Sequence, residues 1–102
     1  MKVFRLVLAA LIGAIRTQGD QELRARAAMV IERYGPAAGE AIPALIELLR
    51  DKDAELRYRA ARALEAIGSL ARAAAPALMQ ATNDSSVMVQ RVAKRILESF
   101  AQ

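Results

Sequence analysis

The sequence predicts an all-α protein, a short solenoid of three helix pairs with about six helices in one domain. Three observations carry that prediction. The chain matches itself without a gap at an offset of 33 residues: Pro43 recurs as Pro76, and ELRARAAMVIERYG from Glu22 to Gly35 recurs as ELRYRAARALEAIG from Glu55 to Gly68. A period in this range marks stacked repeats, in which a unit buries its apolar face only against its neighbours. Alanine is abundant and aromatic residues make up only 4% of the chain, a mix that suits closely packed helices rather than sheet. Gly35, Pro36 and Gly68 stand at unit boundaries. The third copy is weaker, with Val89, Ala93, Arg95 and Leu97 standing one period beyond Leu56, Ala60, Arg62 and Leu64.

The units run over residues 1–35, 36–68 and 69–102. Their first helices are expected over Lys2 to Arg16, Pro36 to Arg50 and Ser69 to Thr82. The apolar sets are Leu8, Ile12 and Ile15, then Ile42, Leu45, Leu48 and Leu49, then Ala75, Leu78 and Met79. Pro43 and Pro76 fall inside the later two, where a proline removes one backbone bond and kinks a helix. Asp20, Asp53 and Ser86 obey the period and are the N-caps of the second helices, accepting from free amides of the first turn. The buried stripes of those helices are read as Leu23, Ala27, Val30, Ile31 and Tyr34, then Leu56, Ala60, Ala63, Leu64 and Ile67, then Val89, Ala93, Ile96, Leu97 and Phe100. Gly35 and Gly68 end the first two second helices as left-handed C-caps. Short turns around Lys52 and Ser85 close the pairs, leaving no linker or second domain.

The start, MKVFRLVLAALIGAI, has a basic residue and an apolar run, as a secretory signal does. Arg5 interrupts the run, no A-x-A site follows, and the segment fits the repeat register, so it reads as a structural helix. It is too short to span a bilayer. A cytoplasmic location without membrane association is the resulting expectation.

There is no cysteine and no histidine, which removes disulfides, thiolate chemistry, His-ligated metals and imidazole catalysis. No P-loop, GxGxxG or nucleophile with an adjacent base is present. The carboxylates that could be paired, Glu22 with Glu55 or Glu32 with Glu65, would stand about 10 Å apart on a solvated face. The expectation is therefore a protein that is not an enzyme and uses no cofactor or metal. Fifteen Lys and Arg against 11 Asp and Glu give a formal charge of +4, which is compatible with an acidic partner but does not require one.

The stretch AIPALIELLRDKDAELRYRAARALEAIG, with Pro43, Asp51, Arg57, Ala60, Ala61 and Leu64, resembles HEAT repeats of the short type associated with phycobilin-lyase subunits. The resemblance covers essentially the whole chain. It is strong in unit two, fair in unit three and clear in unit one only in the second helix. It implies a right-handed superhelix with second helices lining the concave side, used mostly for protein–protein interaction, and no single activity. It also implies a ladder between units made by an Asp and an Arg six positions apart. Unit two holds both, as Asp51 and Arg57; unit one has Gln18 and Arg24, and unit three has Asp84 and Gln90. If each Arg reaches the Asp of the following unit, Arg24 takes Asp51 and Arg57 takes Asp84, and all four are scaffold rather than binding residues.

Outside the ladder, Arg26, Arg59, Arg62, Arg91 and Arg95, with Lys94 and Tyr58 nearby, form a basic band on the second helices. Arg offers bidentate donors to carboxylate or phosphate, so this band is the candidate dock for a protein or peptide partner, an acidic one included. Glu22, Glu55, Glu32, Glu65 and Glu98 on the same helices pair with part of it and blunt its field, which weighs against nucleic acid. At the ends, Phe4, Leu6, Val7, Leu8, Leu11 and Ile12 run nearly all round the first helix, and Met88 and Val92 stand where unit two has Glu55 and Arg59. Both ends thus read as incompletely capped. Phe4, Val7, Leu8 and Leu11 are the candidate surface for self-association, for completion by another protein, or for continuation of a longer array.

Overall fold

The computed structural model describes residues 2–102. Met1, which the sequence reading includes in unit one, lies outside the described residues. The described residues are all-helical, in the order α1 (Lys2–Ile15), α2 (Gln21–Tyr34), a 3-10 segment (Gly35–Ala41), α3 (Ile42–Leu48), α4 (Ala54–Ile67), a second 3-10 segment (Gly68–Ala74), α5 (Ala75–Ala81) and α6 (Val87–Phe100). None of these helices is long and apolar enough to cross a membrane.

Four helices, α1, α2, α4 and α6, are each 14 residues long. The first helices expected in units two and three are not continuous. Each is a 3-10 segment of seven residues followed by an α-helix of seven, so the expected six helices become four long ones and two short ones. Proline is the cause. Pro43 and Pro76 have no N–H to give to the carbonyl four residues back, so each stands in the first turn of a new α-helix, where none is needed. Just before them the N–H groups of Ile42 and Ala75 donate three residues back, to Gly39 and Arg72. Unit one has Ala10 at the corresponding position and keeps one unbroken α-helix.

Asp20, Asp53 and Ser86 cap α2, α4 and α6, accepting from the amides of Leu23, Glu55 and Val89. Gly35 and Gly68 have φ of 62° and 81°, but their ψ values of −137° and −140° lie outside the left-handed helical region expected for them. This is territory open almost only to glycine, and it turns the chain directly into the following 3-10 segment.

The second helices lie side by side, α4 between α2 and α6, and the first elements of each unit pack behind them. Ala27, Ala60 and Ala93 are buried along the stack and let the helices approach closely, while Leu45, Leu48, Leu56, Leu64, Ile67 and Leu78 fill the interior. The stripe expected on α4 is buried throughout. On α2 it is rotated. Arg24, Ala27, Ala28 and Ile31 are buried, whereas Leu23, Val30 and Tyr34 are about two-fifths exposed, because no earlier unit covers that side. On α6, Leu97 and Phe100 are half-buried against the core.

Gly68→Ala is expected to lower stability by about 1–2 kcal/mol through backbone strain alone, since an added Cβ meets nothing within 4 Å. Gly13→Ala, equally unobstructed and in the last turn of α1, is expected to raise it by up to about 0.5 kcal/mol. Urea unfolding of the two variants checks both signs.

Candidate functional site

Two guanidinium groups join the units along the edge where the turns between paired helices line up. The Arg24 side chain, only 6% exposed, donates from Nη1 to Asp51 at 3.0 Å and from Nε to the Ile15 carbonyl at 2.7 Å, which closes the C-terminal turn of α1. Arg57 makes a bidentate pair with Asp84, at 2.9 and 3.1 Å, and its Nη1 donates to the Asp51 and Lys52 carbonyls. Each Arg thus holds the turn of one unit and the carboxylate of the next. Each Asp also accepts from a backbone amide two residues on, that of Asp53 or Ser86. In unit three Gln90 donates to the Asp84 carbonyl and reaches no further. Burial pushes the Asp51 carboxyl up, but the bonds from the Asp53 amide and from Arg24 outweigh it, so Asp51 is held below its ordinary value.

The basic band is laced with carboxylates. Glu32, Arg62, Glu65 and Arg95 alternate in sign across three successive helices: Arg62 reaches back to Glu32 at 3.0 Å, and Arg95 grips Glu65 bidentately at 2.6 and 2.9 Å. The hydrogen bond from Arg95 chiefly holds the Glu65 carboxyl below its ordinary value. Arg59 pairs with Glu55 at 2.8 Å and Arg26 with Glu22 at 3.6 Å, each within its own helix. Tyr58 is half-buried at the centre. Its hydroxyl accepts from Arg62 at 2.8 Å, and the Arg59 and Arg62 guanidinium carbons stand 5.5 and 5.8 Å from the ring centroid. Arg91, one period on from Tyr58, is exposed and, among the described residues, has no carboxylate partner.

At the N-terminal end, Leu8 does not belong with Phe4, Val7 and Leu11 on an outer surface: it is 2% exposed and packs into the core. Phe4 and Leu11 are half-buried and Val7 is exposed. Phe4 meets Tyr34 edge to face at 4.9 Å. Met29 and Val30 extend this apolar face along α2, between Arg26 and Arg33. Sequence reading placed Val30 and Tyr34 in the core because it treated every unit as if it had neighbours on both sides.

The C-terminal end differs. Val92, read as part of an uncapped end, is buried, and Met88 is the exposed member of that pair. Lys94 stands exposed where α2 and α4 bury Ala28 and Ala61, and the Arg72 guanidinium lies 5.5 Å from the Phe100 ring centroid. Lys94 makes the centre of this face polar, while Val87 and Met88 at the start of α6 stay exposed. Two inter-unit pairs escaped sequence reading altogether, the looser being Arg5 with Glu40 at 4.0 Å. Arg16 and Glu47 join bidentately at 3.1 Å, but Leu49 and Thr82 replace Arg16 in the later units and leave no periodic signal.

The family model for HEAT repeats matches residues 8–99. No curated protein matches the chain.

Arg24→Ala is expected to cost about 3 kcal/mol, because it strands the Asp51 carboxylate and the Ile15 carbonyl, whereas Arg16→Ala in the exposed pair costs less than about 1 kcal/mol. Thermal and denaturant unfolding separate the two. Carboxyls held low in the folded chain contribute stability that is complete above their ordinary pKa of about 4 and is lost as pH falls through their lower folded values. Acid titration of stability is therefore expected to fall below about pH 4, and Asp51→Asn to flatten that fall while lowering stability at neutral pH.

Proposed function

The chain belongs to the HEAT-repeat family, and on that premise we propose that it is a non-enzymatic scaffold for protein–protein interaction, docking a carboxylate-bearing segment of its partner on the Arg-rich side of α2, α4 and α6. HEAT repeats are in general protein-interaction scaffolds. The handedness implied by the resemblance makes this side concave, so a partner segment would be enclosed by three successive helices.

The observation that carries the reading is the setting of Tyr58. Two guanidinium groups lie over its ring, its hydroxyl oxygen is already engaged by Arg62, and Arg91 stands one period away without a carboxylate of its own. An aromatic surface held in place by neighbouring cations loses little entropy on binding, and a free Arg beside it can take a carboxylate bidentately. Nucleic acid is the weaker reading. Arg59, Arg62 and Arg95 are already committed to Glu55, Glu32 and Glu65, and a phosphate backbone would have to displace those carboxylates.

Binding of a Glu-rich peptide, followed by fluorescence anisotropy, is expected to weaken about tenfold or more in Tyr58→Ala with Arg91→Glu, while helical circular dichroism is unchanged. An undiminished affinity in that double variant refutes the site. Tight binding of single-stranded oligonucleotides that collapses as salt is raised would favour the phosphate reading instead.

A further inference from the structure

Units two and three show how the side left open on unit one is meant to be covered. In unit two Ala44 and Ala63 are buried, Glu40 and Glu47 reach back to Arg5 and Arg16, and Arg62 reaches back to Glu32. One period earlier the same positions are Leu11, Val30, Val7, Ala14 and Met29. Every one that reaches a preceding unit by charge is apolar here, and all are at least partly exposed. Ala63 is 0% exposed where Val30 is 38% exposed. Arg26, Met29, Val30 and Arg33 recur on α2 at helical spacing and line a shallow groove of about 440 Å³.

We infer that this end face docks an amphipathic helix of another protein, one whose apolar stripe is bordered by Asp or Glu. Such a helix would lie on α2 much as α2 lies on α4. Its apolar stripe would cover Met29 and Val30, and its carboxylates would meet Arg26 and Arg33 at either end of the groove. Arg33 has no carboxylate partner among the described residues, and Arg26 has only the loose exposed contact with Glu22.

Charge and size select this occupant over a second copy of the chain. Head-to-tail stacking would bring Lys94, which replaces the small Ala28 and Ala61 of the other units, onto the apolar centre between Arg26 and Arg33. A two-fold pairing of N-terminal faces would set one Arg26–Arg33 row against another. Both set cations against cations across a surface being desolvated, and Glu98, the single carboxylate of α6, offsets Arg91, Lys94 and Arg95 of that helix only in part.

The inference concerns a different surface from the one around Tyr58, and its test keeps the two apart. The probe is a synthetic helical peptide with Leu at i, i+3, i+4 and i+7 and Glu at the flanking positions, beside a version with Lys at the flanks. Titration of the Glu peptide, followed by amide chemical shifts, is expected to perturb α1 and the Arg26–Tyr34 part of α2. Affinity read from the α2 shifts should fall about tenfold or more in Met29→Asp and in Arg26→Glu with Arg33→Glu, stay unchanged in Tyr58→Ala with Arg91→Glu, and be absent for the Lys peptide. All the substituted side chains are exposed or half-exposed, and thermal unfolding confirms that each variant is folded. Three results overturn the inference: no saturable binding of the Glu peptide, binding that the Met29 and Arg variants leave intact, or a dimer seen by light scattering that Met29→Asp converts to monomer.

Discussion

A helix pair in a stack has two broad sides, and each must be covered by something. That constraint governs this chain more than any single contact. In the middle unit both sides are covered, and alanine dominates because neighbouring helices must come close enough to exclude water from them. Polar groups between units must then be satisfied locally. Arg24 and Arg57 do this by spending their donors on turn carbonyls as well as on Asp51 and Asp84, and no buried side-chain polar atom among the described residues lacks a partner. Such clamps fix the offset of one unit on the next. Their contribution to net stability is smaller than the cost of breaking them, because ionic groups lose hydration when buried.

Much of this was legible in the sequence. The period located the three second helices and their N-caps at Asp20, Asp53 and Ser86, since side-chain oxygens that cap a helix are few in kind and fixed in position. The resemblance to HEAT repeats led to the contacts Arg24 makes with Asp51 and Arg57 with Asp84. What sequence reading got wrong has one physical origin in two forms. A repeat pattern describes an average unit, so it misjudges places where a unit departs from its copies. Leu23, Val30 and Tyr34 were misassigned because burial depends on whether a neighbour exists, which the pattern does not encode, and Val92 because Arg59 stands one period before it. Arg16 with Glu47 was missed because only one pair of units uses it. The prolines were recognised but their consequence was misread: they begin the α-helices of units two and three instead of bending longer ones.

The cations divide into three groups with different chemistry. Arg24 and Arg57 are largely buried and belong to the frame. Arg62 and Arg95 tie helices together through surface carboxylates and Arg59 pairs with Glu55 within α4, where ion pairs contribute little to stability but hold side chains in place. Arg33 and Arg91 are exposed and bound to no carboxylate among the described residues. Total charge says nothing about this division. The band of guanidinium groups, already interspersed with carboxylates in the sequence, is in three dimensions a lattice in which Glu32, Arg62, Glu65 and Arg95 alternate in sign across the helices.

The unbroken α1 acquires its meaning beside the two interrupted helices that succeed it. In a linear stack, stability is approximately an intrinsic amount for each unit plus an amount for each interface. Unit one has only one interface. It also has the only first helix free of proline and of glycine at its start, so every residue from Lys2 to Ile15 adds to a continuous ladder of i to i−4 bonds. The unit covered on one side thus has the longest uninterrupted first helix among the described residues. A unit covered on one side and with a broken first helix as well would have fewer i to i−4 bonds to hold it, and would fray while the other two remained folded.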